Sequence, residues 1–225
     1  MSGTSGTMNK KEFQSLTKII DKQKLQFCIK DNMTMFIDPS RVYMIIDKEP
    51  DYLTDEYLKK MKEMDMILLI PFKEPMIDTA TFHNISLGMN QMEKYKGKRN
   101  GIEFFFVYLK DKQIYIGNVD DKEAMIESAG SLNADEKDEN LLVLFQYDFL
   151  ADVMGFISLF SNMGVYMGSI KIYFKEGMPL MMENNRFKMY IAPREFDYTE
   201  IAHFTNKIEK NMPEKTNINL FETDE

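Results

Sequence analysis

Three times along this chain the hydrophobic pattern runs through the same order of elements: a strand, a helix, then a hairpin. Residues 66–118 and 141–193 carry the full order, and the start of the chain carries it without a convincing first strand. A unit of this size cannot bury its own apolar face, so neighbouring units must share one core. In the first unit, NKKEFQSLTKIIDK sets Phe13, Leu16, Ile19 and Ile20 on one helical stripe, with Lys10, Lys11, Lys18 and Lys22 off it. The strand KLQFCI follows, then two β-rich arms around Asp38-Pro39-Ser40-Arg41. Pro39 supplies no amide donor, so the chain leaves the ladder there.

In the second unit MILLIPF reads as a buried strand, IDTATFHNISLGMNQMEKY as a helix with Gly88 inside it, and GIEFFFVYLKDKQIYIGN as a hairpin turning at Lys110-Asp111-Lys112. A strand in EAMIESAG leads to the acidic loop LNADEKDEN. The third unit has the strand LLVLFQ, then the helix YDFLADVMGFISLFSN with Phe149, Val153, Phe156, Ile157 and Phe160 on its apolar side. Its closing strands turn near Glu176-Gly177 and Asn184-Asn185. Helices that each cover part of an extended antiparallel sheet specify an α+β fold, with repeated helix-plus-sheet units and the helices on one face.

The polar connector 47–65 contains Pro50 and a short helix N-capped by Thr54, with Tyr57, Leu58 and Met61. Two domain organisations are open. The preferred one takes 1–7 as a flexible leader, 8–65 as a reduced N-terminal domain with its connector, 66–197 as a full second domain and 198–225 as a charged tail with a short helix at TEIAHFTNKIEK. The other assigns 66–117 to the first domain and shortens the second.

Composition narrows the chemistry. With 225 residues, 44% of them hydrophobic, the chain has the material for a real core. Twenty methionines fit irregular cores or adaptable grooves, with the core taking most of them. Cys28 is the single cysteine, which excludes a disulfide framework and a cysteine zinc cluster. His83 and His203 are far apart and lack a second ligand at metal-site spacing, so they read as polar surface or helix-end residues. The acidic run DEKDE at 135–139 lacks the ligand order and glycine of a calcium loop. No phosphate-cradling, dinucleotide or nucleophile-elbow motif occurs. The expectation is therefore a non-enzymatic protein with no catalytic residues, no metal and no cofactor. An unrecognised hydrolase or metal enzyme is the minority reading. No apolar run approaches the ~20 residues that span a bilayer, and the expected compartment is the cytoplasm, or the nucleus in a nucleated cell. A net charge of −8 argues against a surface basic all over, yet a few lysines on one lining can still hold phosphates.

Two stretches carry a resemblance to a known family. The run FIDPSRVYMI, after a helix and a strand, resembles the DNA sliding clamp family of proliferating cell nuclear antigen, whose first domain carries a similar MDPSRVALV-type stretch. At the other end YDFLADVMGFISLF, IKIYFKEGMPLMME and FKMYIAPRE are similar to that family's close: a YL-containing helix, a strand, an MPL-x-x-E strand and an LAP[RK] segment. The matches span 9–46 and 142–195. The resemblance implies a sliding-clamp fold with two similar domains per subunit. It also implies a homotrimeric ring around duplex DNA, helices inside and sheets outside, placed by a clamp loader and tethering DNA polymerase and other replication or repair proteins.

Clients of that family dock a short apolar and aromatic plug beside the interdomain loop. Carried over, the groove would include Ile37, Arg41, Val42, Pro179, Ala192 and Pro193. The DNA-facing positions would be Lys10, Lys11 and Lys18 on the first helix, and Lys94, Lys96, Lys98 and Arg99 near the second. Contact there would be with phosphates, sequence-independent and salt-dependent.

The chain departs from the family twice. Its last long helix has Asp148 and Asp152 and no Lys or Arg, and three units are legible where the family has four. A trimmed subunit changes the angle that a symmetric ring must close. The competing reading is a clamp-fold interaction scaffold, or a transcription accessory factor, that forms no closed ring. In the tail, adjacent Leu220 and Phe221 offer a segment that could occupy a partner's groove.

Overall fold

The computed structural model describes residues 10–22, 25–30, 33–38, 43–48, 55–63, 74–96, 100–128, 130–132, 140–162 and 168–212. The expected strand MILLIPF, the run 135–139 and the tail from 213 lie outside them. Helix α1 (Lys10–Lys22) is followed by strands β1 (Gln26–Lys30), β2 (Met33–Ile37) and β3 (Tyr43–Asp47), an antiparallel meander. Helix α2 (Asp55–Glu63) stands in the polar connector, where Lys60 bonds Glu56 one turn back at 2.8 Å.

The stretch read as a helix around Gly88 is different. Residues Thr79–Thr81 form a 3-10 turn capped by Asp78, and His83–Leu87 form strand β4. After it, Met89–Met92 (α3) and a 3-10 turn at Glu93–Tyr95 are helical. His83, Ile85 and Leu87 are buried while Asn84 and Ser86 are not, the period of a strand. His83, expected at a polar surface or helix end, is 1% exposed, with its ring 5.4 Å from that of Phe174.

Strands β5 (Phe104–Lys110) and β6 (Gln113–Asn118) make the expected hairpin, and β7 (Asp121–Ser128) extends it. Asp111 and Lys112 both take positive φ, 49° and 63°, the two-residue turn whose hand matches strand twist. Strand β8 (Leu142–Gln146) and helix α4 (Tyr147–Asn162) follow, then β9 (Ile170–Phe174), β10 (Leu180–Glu183), β11 (Phe187–Ile191) and α5 (Tyr198–Glu209).

The strands form two sheets, β1-β2-β3-β11-β10-β9-β4 and β7-β6-β5-β8. Two exchanges create this order. Strand β4 leaves its own hairpin to pair with β9, and β8 leaves its own to pair with β5. The two units are therefore interlocked, each completing the other's sheet. The N-terminal meander joins them edge to edge, with β3 against β11 from Tyr43↔Ile191 to Asp47↔Phe187.

Both sheets turn an inner face to one core, which also takes Ile20 of α1, Met92, Tyr95, and Leu150, Val153, Met154 and Ile157 of α4. Helix α4 packs against α1 and against the 93–95 turn. Among the described residues, methionines 35, 92, 154, 181, 182 and 189 are buried, as a core use of this residue requires. Gly130 is dictated by close approach: a Cβ there would sit 2.3 Å from the Asn84 carbonyl oxygen. That contact lets Ser131 and Asn84 exchange two backbone hydrogen bonds, 2.9 and 2.8 Å, which close the outer edge of β4.

Each sheet's outer face has its own cover. On the smaller sheet Phe104, Phe106, Tyr108 and Tyr115 lie under α5, whose Ile208 is fully buried. An Asp197–Glu200 capping box starts this helix, with bonds of 2.9 and 3.0 Å. On the larger sheet Met35, Ile37, Ile46, Met181 and Tyr190 form a separate cluster, against which Ile77 packs.

Candidate partner groove and helical face

The β3–β11 pairing joins the two stretches that carry the family resemblance. Ile37 pairs with Met44, Met44 with Tyr190 and Tyr190 with Met181, so these positions form one row across four strands. Pro179 directly precedes Leu180, Ala192 directly follows Ile191, and Leu180 pairs with Ile191. Both therefore lie at the same end of this hairpin as Ile37 of the neighbouring meander. Ile37 is buried at 2% exposure, whereas Pro179, Ala192 and Pro193 are half-buried. Arg41 and Val42 lie outside the described residues.

Beside this row the segment Glu74–Asp78 crosses the outer face and leaves a groove of about 560 Å³. Its walls include Glu74, Met76, Ile77, Met181, Lys188 and Tyr190. One Glu74 oxygen accepts from the Tyr190 hydroxyl at 2.6 Å and from the Lys188 ammonium at 2.9 Å. Burial pushes the Glu74 carboxyl up, but the Tyr190 and Lys188 bonds and the lysine's charge outweigh it, and the net shift is downward. Burial first, then the Glu74 bond and charge, pushes the Tyr190 phenol well above its ordinary range. Tyr190 and Ile77 line this candidate groove and were not among the residues named from sequence. The signal for Tyr190 was its place two residues before Ala192, on the alternate face from Ile191.

The hairpin junction is pinned by charge. Arg186 Nε lies 3.4 Å from Asp47 Oδ1, with both side chains almost wholly buried. Lys48 adds bonds to Glu183 and to the Asn184 carbonyl, both 3.1 Å.

On the helical side Lys10, Lys11 and Lys18 are exposed on α1, and Lys94 and Lys96 are exposed at the 93–95 turn. Lys98 and Arg99 lie outside the described residues. Helix α4, packed against both groups' elements, carries Asp148 and Asp152, and Lys22 reaches Asp152 at 3.9 Å. Both lysine-bearing elements thus pack against a largely apolar helix that carries two acids and no basic residue. Among the described residues no group of three or more His, Cys, Asp or Glu side chains could hold a metal ion, and no helix is long and apolar enough to cross a membrane.

No protein-family model matches the chain, and no curated protein matches it in sequence. Solved structures do. The chain is similar in fold to PCNA sliding clamps. One is in a PCNA2–PCNA3 complex from Sulfolobus tokodaii, at 11% identity and a TM-score of 0.47, covering 84% of this chain and 98% of that one. Another is PCNA from Thermococcus kodakaraensis, at 12% identity, the same TM-score and the same coverage of both chains.

Proposed function

We propose that this protein is a sliding-clamp subunit: a non-enzymatic processivity factor that encircles duplex DNA and recruits DNA polymerase and other replication or repair proteins through the outer groove. The observation that carries the reading is the meeting of two clamp-like stretches, far apart in sequence, across β3 and β11. An apolar row flanked by half-buried prolines suits an aromatic peptide anchor. Strands β1 and β7 end their sheets, each paired on one side among the described residues, and offer edges for subunit association. The flanking lysines would hold the duplex loosely, and a clamp loader would place the ring, a homotrimer in this reading.

One observation favours a second reading, a clamp-fold scaffold or transcription accessory factor that never closes. Helix α4, within the helical layer that would face DNA, has two acids and no basic residue. Loading on nicked circular duplex followed by linearisation separates the two. A closed clamp stays on the circle at moderate salt and runs off the cut DNA. A scaffold shows the same weak, salt-sensitive binding to both forms.

A further inference from the structure

The outer groove already holds a piece of its own chain. Segment Glu74–Asp78 has no regular structure, and its residues divide their roles sharply. Met76 is 91% exposed, whereas the next residue, Ile77, is turned down onto the apolar cluster containing Ile37, Met181 and Tyr190. At one end Glu74 is tied to Tyr190 and Lys188 through a single carboxylate oxygen. At the other, Asp78 caps the 79–81 turn by accepting from the Ala80 amide at 3.2 Å. The strap is therefore anchored on both sides of one inserted apolar side chain.

That geometry is the one a docking peptide would need. An apolar anchor enters a sheet-face pocket, and a polar contact at the rim fixes its direction. We propose that Glu74–Asp78 is a built-in competitor for the client groove: Ile77 occupies the place of a client's plug, and the Glu74 contact to Tyr190 and Lys188 is the latch that keeps it there. This rests on the groove reading above. The strap lowers apparent client affinity by the fraction of time that the groove is open. Tyr190 then serves two states, bonded to Glu74 when the strap is down and freed as part of the groove wall when it lifts. Lys188, Lys48, Glu183 and Asp78 are the other charged groups around this segment.

The test compares full-length wild type with Ile77→Ser, which removes the plug, and Glu74→Gln, which weakens the latch while keeping an acceptor. Two probes are used: anilinonaphthalene sulfonate fluorescence for exposed apolar surface, and anisotropy of a fluorescein-labelled synthetic peptide with a short apolar and aromatic plug. Thermal melts check that both variants fold. The strap predicts a higher dye signal in both variants and tighter peptide binding, about tenfold for Ile77→Ser and several-fold for Glu74→Gln. Equal dye signal and equal peptide affinity in all three proteins would overturn the strap while leaving the groove reading standing. A raised dye signal with no peptide binding by any protein would overturn the client groove, and the competition with it, and leave the segment as a structural cover.

Discussion

Asp47 and Arg186 form a buried ion pair at the joint between the N-terminal meander and the rest of the sheet. Their side chains are 0% and 5% exposed, so each charge has given up water for the other. Removing one partner leaves the other's buried charge without this opposite charge, at a cost of about 3–5 kcal/mol, whereas replacing both by apolar residues costs far less. Arg186→Met alone should therefore lower urea stability by that amount, and adding Asp47→Leu should restore most of it. If the double variant is as weak as the single one, the pair's geometry rather than its charge balance holds the joint. At this scale the sequence offered candidates for the groove. Ile37, Pro179, Ala192 and Pro193 could be named because they sit inside family-like strings. Ile77 could not, because nothing in EPMIDT says which apolar residue will turn inward, and Asp47–Arg186 could not, because the pairing spans most of the chain.

At the scale of elements, α5 makes the clearest prediction. Its Phe204 ring meets those of Phe104 and Phe196 edge-on at 5.5 and 5.3 Å, and Tyr108 donates to Glu209 at 2.8 Å. The Lys110 bond, then the Tyr108 bond, holds the Glu209 carboxyl below its ordinary 4.5. A carboxyl lowered by folding stabilises the docked helix fully above its unfolded value and loses that contribution as pH falls through the lowered one. Amide exchange across α5 should therefore be steady from pH 7 to about 5, after correction for intrinsic rates, and accelerate below about 4.5. Phe204→Ala should loosen α5 at neutral pH by about 1–3 kcal/mol in the same measurement, with β9–β11 unchanged. Loss of protection in β9–β11 as well would mean that α5 is part of the main core rather than a cover.

Most elements were legible, because long runs such as FFFVYLK and YDFLADVMGFISLF have one dominant period. The exception was β4. Phe82, Ile85, Met89 and Met92 fall at spacings that also suit a helix, and short mixed segments do not decide by period. Pairing with β9 decided it, from His83↔Phe174 to Leu87↔Ile170. A contact more than eighty residues away has no local signature.

For the whole molecule, interlocking is the governing fact. Since β4 completes the sheet of β9–β11 and β8 completes the sheet of β5–β7, neither unit can unfold with the other left whole. The exchange was invisible in sequence, because the residues of β4 read as part of a helix and β8 read as the first strand of its own unit. What sequence did convey was the repeat and the likeness of the two ends. The central claim, that three such units make a ring-forming clamp subunit, is tested most directly by the solution mass of the untagged protein. Sedimentation equilibrium across a concentration series is predicted to give a stable closed oligomer, a trimer of the 26.5 kDa chain. A monomer at every concentration would contradict it and leave the non-encircling scaffold as the function.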